Sequence, residues 1–346
     1  MKDLPRRSYR PIRLHAVLSA LGVSLVLPLP SAAQQAAVAE TQAGQGVPRT
    51  PWGAPDLRGT WPIRHLIGTP LERSPELGER RLLDDAEFAE VEARIAVRNS
   101  RYDEEIGTNK MGGGHWAEPT EALRLSSLII EPANGRLPPL TAEGRRRAES
   151  FGSSWSTTVF DSVADFDPWD RCITRGMPVS MLPRNYNNGI QIFQSPGYVV
   201  LRLEMVDRRV IPLDDRPAPD AAIRQWMGES RGHWEGDTLV VETTNFNGGS
   251  SLTNLGVPGS PRDPHPSSEQ LKTVERFRRT ADDTIEYEIT VDDPVTMTAP
   301  FTIAYPMQRD ASYRLFEYAC HEDNSAVRNY IETSRYERRN AITGNE

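Results

Sequence analysis

The stretch from Arg231 to Phe246 (RGHWEGDTLVVETTNF) limits the fold more than any other part of the chain. Trp234 ends one extended arm, Glu235-Gly236-Asp237 supplies a turn, and Thr238 to Phe246 is a run rich in β-branched residues suited to a pleated surface. This pattern predicts a β-hairpin. Strand alternation puts Leu239, Val241, Thr243 and Asn245 on one face, and Val240, Glu242, Thr244 and Phe246 on the other. Neither face is wholly apolar, so the strand is either solvated on one side or lines a cavity with polar groups in its wall.

Similar patterns recur on both sides of this hairpin. Ile190–Phe193 and Tyr198–Met205 flank Gln194-Ser195-Pro196-Gly197, a second hairpin with proline where a turn accepts it. Further strands are expected at Arg209–Leu213, Leu271–Arg278, Thr284–Asp292, Phe301–Tyr305 and Tyr313–Cys320. No helices long enough for parallel crossovers alternate with them, which predicts a mainly β, antiparallel barrel or sandwich over residues 189–346, closed by a helix over 325–335. Residues 51–188 read as a first strand plus a helical and irregular cap. That cap has helices over 82–102 and 141–150, a strand over 125–131 with its return over 136–140, and a flexible glycine run at Met111–Trp116. A short helical passage is expected over 220–227, and residues 247–268 form a Gly/Pro/Ser-rich loop.

The N-terminus has a basic start, an apolar run from Ala16 to Leu29 and Ser31-Ala32-Ala33, which fits a signal peptide over 1–33 followed by a flexible lead-in over 34–50. A membrane anchor fits less well, because the run is short and is broken by Pro28 and Pro30. No later segment is apolar enough to span a bilayer. The expected location is periplasmic or secreted. Residues 1–33 carry five Lys/Arg against one Asp, so cleavage moves the formal charge from −8 to −12. A chain this acidic lacks the basic stripe that phosphate neutralisation requires, which excludes nucleic acid as a partner. In an oxidising compartment the pair Cys172 and Cys320 most simply forms a disulfide, with two buried thiols, or a metal or catalytic role, as the other readings.

Candidate site residues are polar groups on otherwise apolar strand faces, or groups that a disulfide would gather. Glu275 shares a face with Thr273 and Phe277, Arg202 and Glu204 share one with Val200, and Glu242 lies between Val240 and Phe246. Each reads either as a solvated face or as a position facing a ligand. Trp61, Tyr186 and Trp234 are candidates to wall a pocket, although tryptophans at such positions also serve as core. A Cys172–Cys320 bond would bring Asp170 and Arg171 near His321 and Glu322, with His233 contributing from the hairpin; a histidine beside carboxylates acts as a general base and an arginine steadies an anion. The competing reading makes these residues caps and structural ion pairs. His321, Glu322, His233 and Asp237 lack the spacing of a metal set, so no metal is expected. No cofactor is expected either: Gly112-Gly113-Gly114 carries neither a phosphate-loop nor a dinucleotide signature, and no Gly-x-Ser-x-Gly is present.

Two resemblances sharpen these expectations. Gly59-x-Trp61 resembles the Gly-x-Trp signature at the first strand of lipocalin-type barrels, which implies a calycin-like barrel with tryptophan at its closed end. The phrases Pro51-Trp52-Gly53, Asp56-Leu57-x-Gly59-x-Trp61, Asp170-Arg171-Cys172, Gly232–Val241, Val274–Phe277 and Tyr318-Ala319-Cys320-His321-Glu322 together resemble a widespread family of exported bacterial proteins of unassigned function. That resemblance implies an exported protein of one architecture and transfers no catalytic residue. The functional expectation is a barrel enzyme doing cofactor-free acid/base chemistry (hydrolysis, elimination or isomerisation) on a small hydrophobic or aromatic ligand. The alternative is a carrier that binds such a molecule without turning it over.

Overall fold

The computed structural model describes residues 47–108, 117–155, 159–217, 219–322 and 324–343. The expected signal peptide and the Met111–Trp116 glycine run lie outside these residues. Strands β1 (Gly59–Thr60), β3 (Ile190–Ser195), β4 (Tyr198–Leu203) and β5 (Arg208–Pro212) form a four-stranded antiparallel sheet in the order β1-β3-β4-β5. A second, six-stranded antiparallel sheet runs β2-β10-β9-β8-β7-β6. Its strands are β2 (Ile129–Glu131), β6 (Glu229–Glu235), β7 (Thr238–Thr244), β8 (Lys272–Ala281), β9 (Thr284–Asp292) and β10 (Phe301–Gln308).

Local chemistry sets the hairpins. Ser195 pairs with Tyr198 across Pro196-Gly197, and Gly197 takes φ +81°, the positive value that the third position of a type II turn requires. Gly236, at φ +58°, turns β6 into β7 in the same economical way. The predicted hairpin register holds, with Leu239, Val241 and Thr243 buried and Glu242 exposed beside Lys272 at 2.8 Å.

The two sheets are not joined by a ladder among the described residues. At one seam β5 and β6 lie close, but Ile211 and Leu213 fill the space beside Gly232, where any β-carbon would come within 2.7 Å of Leu213 and 2.9 Å of Ile211. Side chains thus occupy the place of backbone pairing. At the other seam one bond, Asp310 N–H to Thr60 O at 3.0 Å, links the end of β10 to β1. Between the sheets Trp61 is fully buried and donates its Nε1–H to Leu57 O at 2.9 Å, so it is packed core and not the wall of a pocket.

A polar knot crosses this core. Arg209 of β5 donates to both oxygens of Glu275 on β8, at 2.8 Å to Oε1, and also reaches Ser230 and Thr243 at 3.1 Å each. Tyr287 adds a hydroxyl donor to Glu275 Oε1 at 2.9 Å. Burial would drive the proton off Arg209, and Glu275 beside it more than reverses that effect, leaving the guanidinium raised and charged. Glu275 is thus neither on a solvated face nor facing a ligand: it is buried against an arginine and a tyrosine that satisfy it.

Three expectations need correcting. Tyr313–Cys320 joins no sheet and crosses the end of the four-stranded sheet as an extended strap, because its side chains and one backbone amide are held by groups below it. Residues 136–140 form only an isolated bridge, Leu140 to Met297, and residues 220–227 are turn and not helix. The helices observed are α1 (Asp85–Thr108), α2 (Ala142–Ser150) and α3 (Ala326–Thr343). None among the described residues is long and apolar enough to cross a membrane.

Candidate functional site

Three remote segments bring their side chains to one place at the open end of the four-stranded sheet. The first carries Glu118 and is docked on α1. That helix starts at a reciprocal cap, with Glu87 N–H to Asp84 Oδ1 and Asp84 N–H to Glu87 Oε2, both at 2.9 Å. Further along α1, Arg98 donates to Glu118 O at 2.6 Å, and Asn99 exchanges two hydrogen bonds with the backbone of Thr120. The second segment is the end of β4. The ladder stops at Leu203 and Val206 adopts φ +52°, so Glu204 turns inward and is 6% exposed, whereas Arg202 stays on the outer face. The third is the strap after β10, where Asp310 Oδ1 accepts from Ser312 N–H and Oγ–H and from Tyr313 N–H, fixing a turn that aims Tyr313 downward.

The phenol of Tyr313 sits 2.6 Å from Glu118 Oε1 and 2.7 Å from Glu204 Oε2. The carboxylates are held from behind. Glu118 accepts from Asn187 N–H at 3.0 Å and Asn188 Nδ2 at 2.8 Å, and Glu204 accepts from Gly189 N–H at 3.0 Å and Phe316 N–H at 3.2 Å. Gly189 is required here by space: a β-carbon would lie 2.7 Å from the Tyr313 ring and 2.8 Å from Glu204 Oε2. Burial, reinforced by the Glu118 and Glu204 charges, pushes the Tyr313 phenol far above its ordinary range, so it keeps its proton and acts as a donor. A phenol has one proton, and one proton makes only one of two short contacts an ordinary O–H···O bond. The three side chains place one phenol donor between two carboxyl groups.

They line a cleft of about 480 Å³, within the roughly 300–1,000 Å³ span of small-molecule sites, whose lining also includes Tyr186, Arg64 and Phe316. Arg64 pairs with Asp310 at 3.2 Å and lies over the Tyr313 ring. The strap is anchored beyond the cleft by the Cys172–Cys320 disulfide, which spans 148 residues with its α-carbons 5.6 Å apart, and by stacking of Tyr318 on Trp169 at 5.5 Å. The expected pairing of the cysteines is thus present.

Of the expected ligand residues, Tyr186 and Glu204 meet in this cleft and the others do not. Arg202 and Glu242 lie on outer faces, Trp61 and Glu275 are core, and Trp234 is half-buried against Trp52, Gln194 and Leu213 in a smaller hollow. The disulfide does bring Asp170 and Arg171 near the turn at 320–322, and Asn324 Nδ2 donates to Asp170 O at 3.0 Å. Asp170, however, accepts from Ser154 through both carboxylate oxygens, at 2.6 and 2.9 Å, and so closes a loop. His321 and Glu322 are exposed on the turn. His233 lies on the outer surface of its hairpin, 3.3 Å from Glu235, whose other oxygen binds Arg276 at 2.7 Å. The described residues contain no cluster of three or more His, Cys, Asp or Glu placed to hold a metal ion.

Glu118 and Tyr313 were not singled out from the sequence. Glu118 follows the glycine run without periodicity, and Tyr313 opens a segment whose composition reads as a strand. Neither carries a local signal, since their meeting depends on three segments folding together. Comparison of the chain with protein-family models, curated proteins and solved structures finds no match.

Proposed function

We propose that the protein is an exported, cofactor-independent enzyme that moves a proton on a small, largely apolar or aromatic molecule held in the Glu118–Glu204–Tyr313 cleft. The observation that carries this reading is a phenol standing 2.6 and 2.7 Å from two carboxyl groups in the wall of a ligand-sized space. Two carboxyl groups set around one proton donor are suited to general acid and base work. Tyr186, Tyr313 and Phe316 supply aromatic surface for the ligand body. The acid/base role expected of His321, Glu322, Asp170, Arg171 and His233 passes in this reading to Glu118 and Glu204, with Tyr313 as the proton bridge. The disulfide supports a location outside the cytoplasm and fits the exported family that the sequence phrases resemble. In this reading the two antiparallel sheets, which close no barrel among the described residues, serve as a calycin-like wall around the cleft.

A general-base probe tests the reading. In the Kemp elimination of 5-nitrobenzisoxazole a base removes the C3 proton, the N–O bond breaks and a coloured cyanophenolate forms, without any cofactor. The wild-type protein is expected to accelerate it over buffer, and Glu118→Gln and Glu204→Gln are each expected to lose at least about tenfold, within the usual 10²- to 10⁴-fold worth of a positioned base. Tyr313→Phe is expected to change the pH profile as well as the rate. No acceleration by the wild-type protein, or full activity in both glutamine variants, rejects the proposal.

The carrier reading has one observation in its favour. Both oxygens of Glu204 already accept backbone N–H groups, which suits a group fixed for structure. Saturable binding of the probe with no turnover would support it.

A further inference from the structure

The outer face of the four-stranded sheet carries a row of apolar side chains that stays open to solvent among the described residues. Strand alternation buries Ile192, Val199, Leu201 and Ile211 on the inner face and turns Phe193, Val200 and Val210 outward. The ladder sets these three directly opposite one another across β3, β4 and β5, with Phe193 against Val200 and Val200 against Val210. Phe193 is 48% and Val210 55% exposed. Single exposed apolar side chains are ordinary on a protein surface, whereas a contiguous row across three paired strands is the pattern of a contact face.

The charges on the two sides of the row have opposite signs. On one side Arg202 stands directly opposite Arg208 in the β4–β5 ladder, and neither has an ion pair or a side-chain hydrogen bond among the described residues. Like charges set directly opposite each other destabilise a sheet, and an acid brought to them from outside relieves that cost. On the other side β5 runs through Pro212 to Asp214 and Asp215. Asp214 is paired with Arg216, which also lies over the Tyr198 ring, and Asp215 is exposed with no partner among the described residues. The face is thus basic at one end, apolar across the middle and net acidic at the other, so it is complementary to itself.

We infer that this face is a contact surface for a second copy of the chain, related by a two-fold axis that lies along the Phe193–Val200–Val210 row. Rotation about that axis lays the row on itself and reverses the direction along the strands. Arg202 and Arg208 of one copy then meet the Tyr198 and Asp214–Asp215 end of the other, as an isologous contact requires. An axis along the strands would instead set arginine on arginine. Sheets stacked face to face lie about 10 Å apart, a gap that a long arginine side chain spans while its stem covers apolar surface. The contact uses no residue that lines the Glu118–Glu204–Tyr313 cleft, so it stands or falls apart from the acid/base reading.

Sedimentation velocity of the full-length folded protein tests the inference. A monomer–dimer equilibrium is expected between about 1 and 100 µM, weakened by added salt. Val210→Asp, checked for fold by circular dichroism, is expected to weaken the dimer at least about tenfold, because it buries an unpaired charge in the contact. Arg208→Glu and Asp215→Arg are each expected to weaken it as well, and the two combined in one chain are expected to restore it, since the exchange keeps the ends complementary. If Val210→Asp fails to fold, the two charge variants and their combination decide alone. A monomer at every concentration, a dimer that survives Val210→Asp with the fold intact, or a combined variant no better than the single ones overturns the inference.

Discussion

Replacing Glu275 by alanine is expected to destabilise the protein by about 3–5 kcal/mol, because it strands a buried guanidinium in the core. Arg209 and Glu275 sit between the two sheets, and Arg209 has no solvent to turn to. The same change leaves the Tyr287 hydroxyl without its acceptor. The size of the effect measures the unpaired partner and not the worth of the pair. The double replacement Arg209→Met with Glu275→Met is accordingly expected to lie near the wild type, or above it by up to about 4 kcal/mol, since apolar groups of similar volume remove both desolvation costs. Urea unfolding of the three proteins at constant slope separates the two cases. A Glu275→Ala loss under about 1 kcal/mol, or a double variant as unstable as the single, would mean that the knot is not buried as described.

The second large effect concerns the disulfide. It closes a loop of 148 residues, for which the chain-entropy account gives about 4–5 kcal/mol, and removal of native disulfides typically costs about 2–5 kcal/mol. Cys172→Ser with Cys320→Ser is expected to lower stability within that range. Its local consequence is more informative. The strap carries Tyr313 and Phe316 into the cleft, and beyond Phe316 it is fastened by the Tyr318–Trp169 stack and the Cys172–Cys320 bond. The near-ultraviolet dichroism of that aromatic pair should diminish, and Kemp activity should fall further than global unfolding explains. Unchanged stability together with unchanged activity would show that the strap holds without its anchor.

How much of this was legible in the sequence follows from how local each feature is. The β6–β7 and β3–β4 hairpins were readable because turn residues and alternation lie within a few positions of each other. Alternation placed Glu275 on one face with Thr273 and Phe277 but left open whether that face is solvated or faces a ligand; its burial depends on Arg209, which comes from the other sheet. Alternation grouped Glu204 with Arg202, and it failed there because β4 ends at Leu203 and the backbone turns over at Val206. Gly59-x-Trp61 offered Trp61 as a pocket wall, but its ring is packed core beside the two-residue strand β1. Proximity to Cys320 made His321 attractive, yet a disulfide fixes only its own sulfur atoms, and the next side chain on the turn points to solvent. Glu118 and Tyr313 were silent because their role arises only when a segment pinned to α1, the end of β4 and the strap converge.

The convergence of these three segments is tested most directly by a carbon-13 NMR titration of ring-labelled tyrosine, with Tyr313→Phe used to assign the signal. Held between Glu118 and Glu204 and shielded from solvent, the Tyr313 phenol is expected to stay protonated well past pH 10, where an ordinary tyrosine ionises at about that value. A Tyr313 resonance that titrates near 10 would place the ring in water and contradict the site.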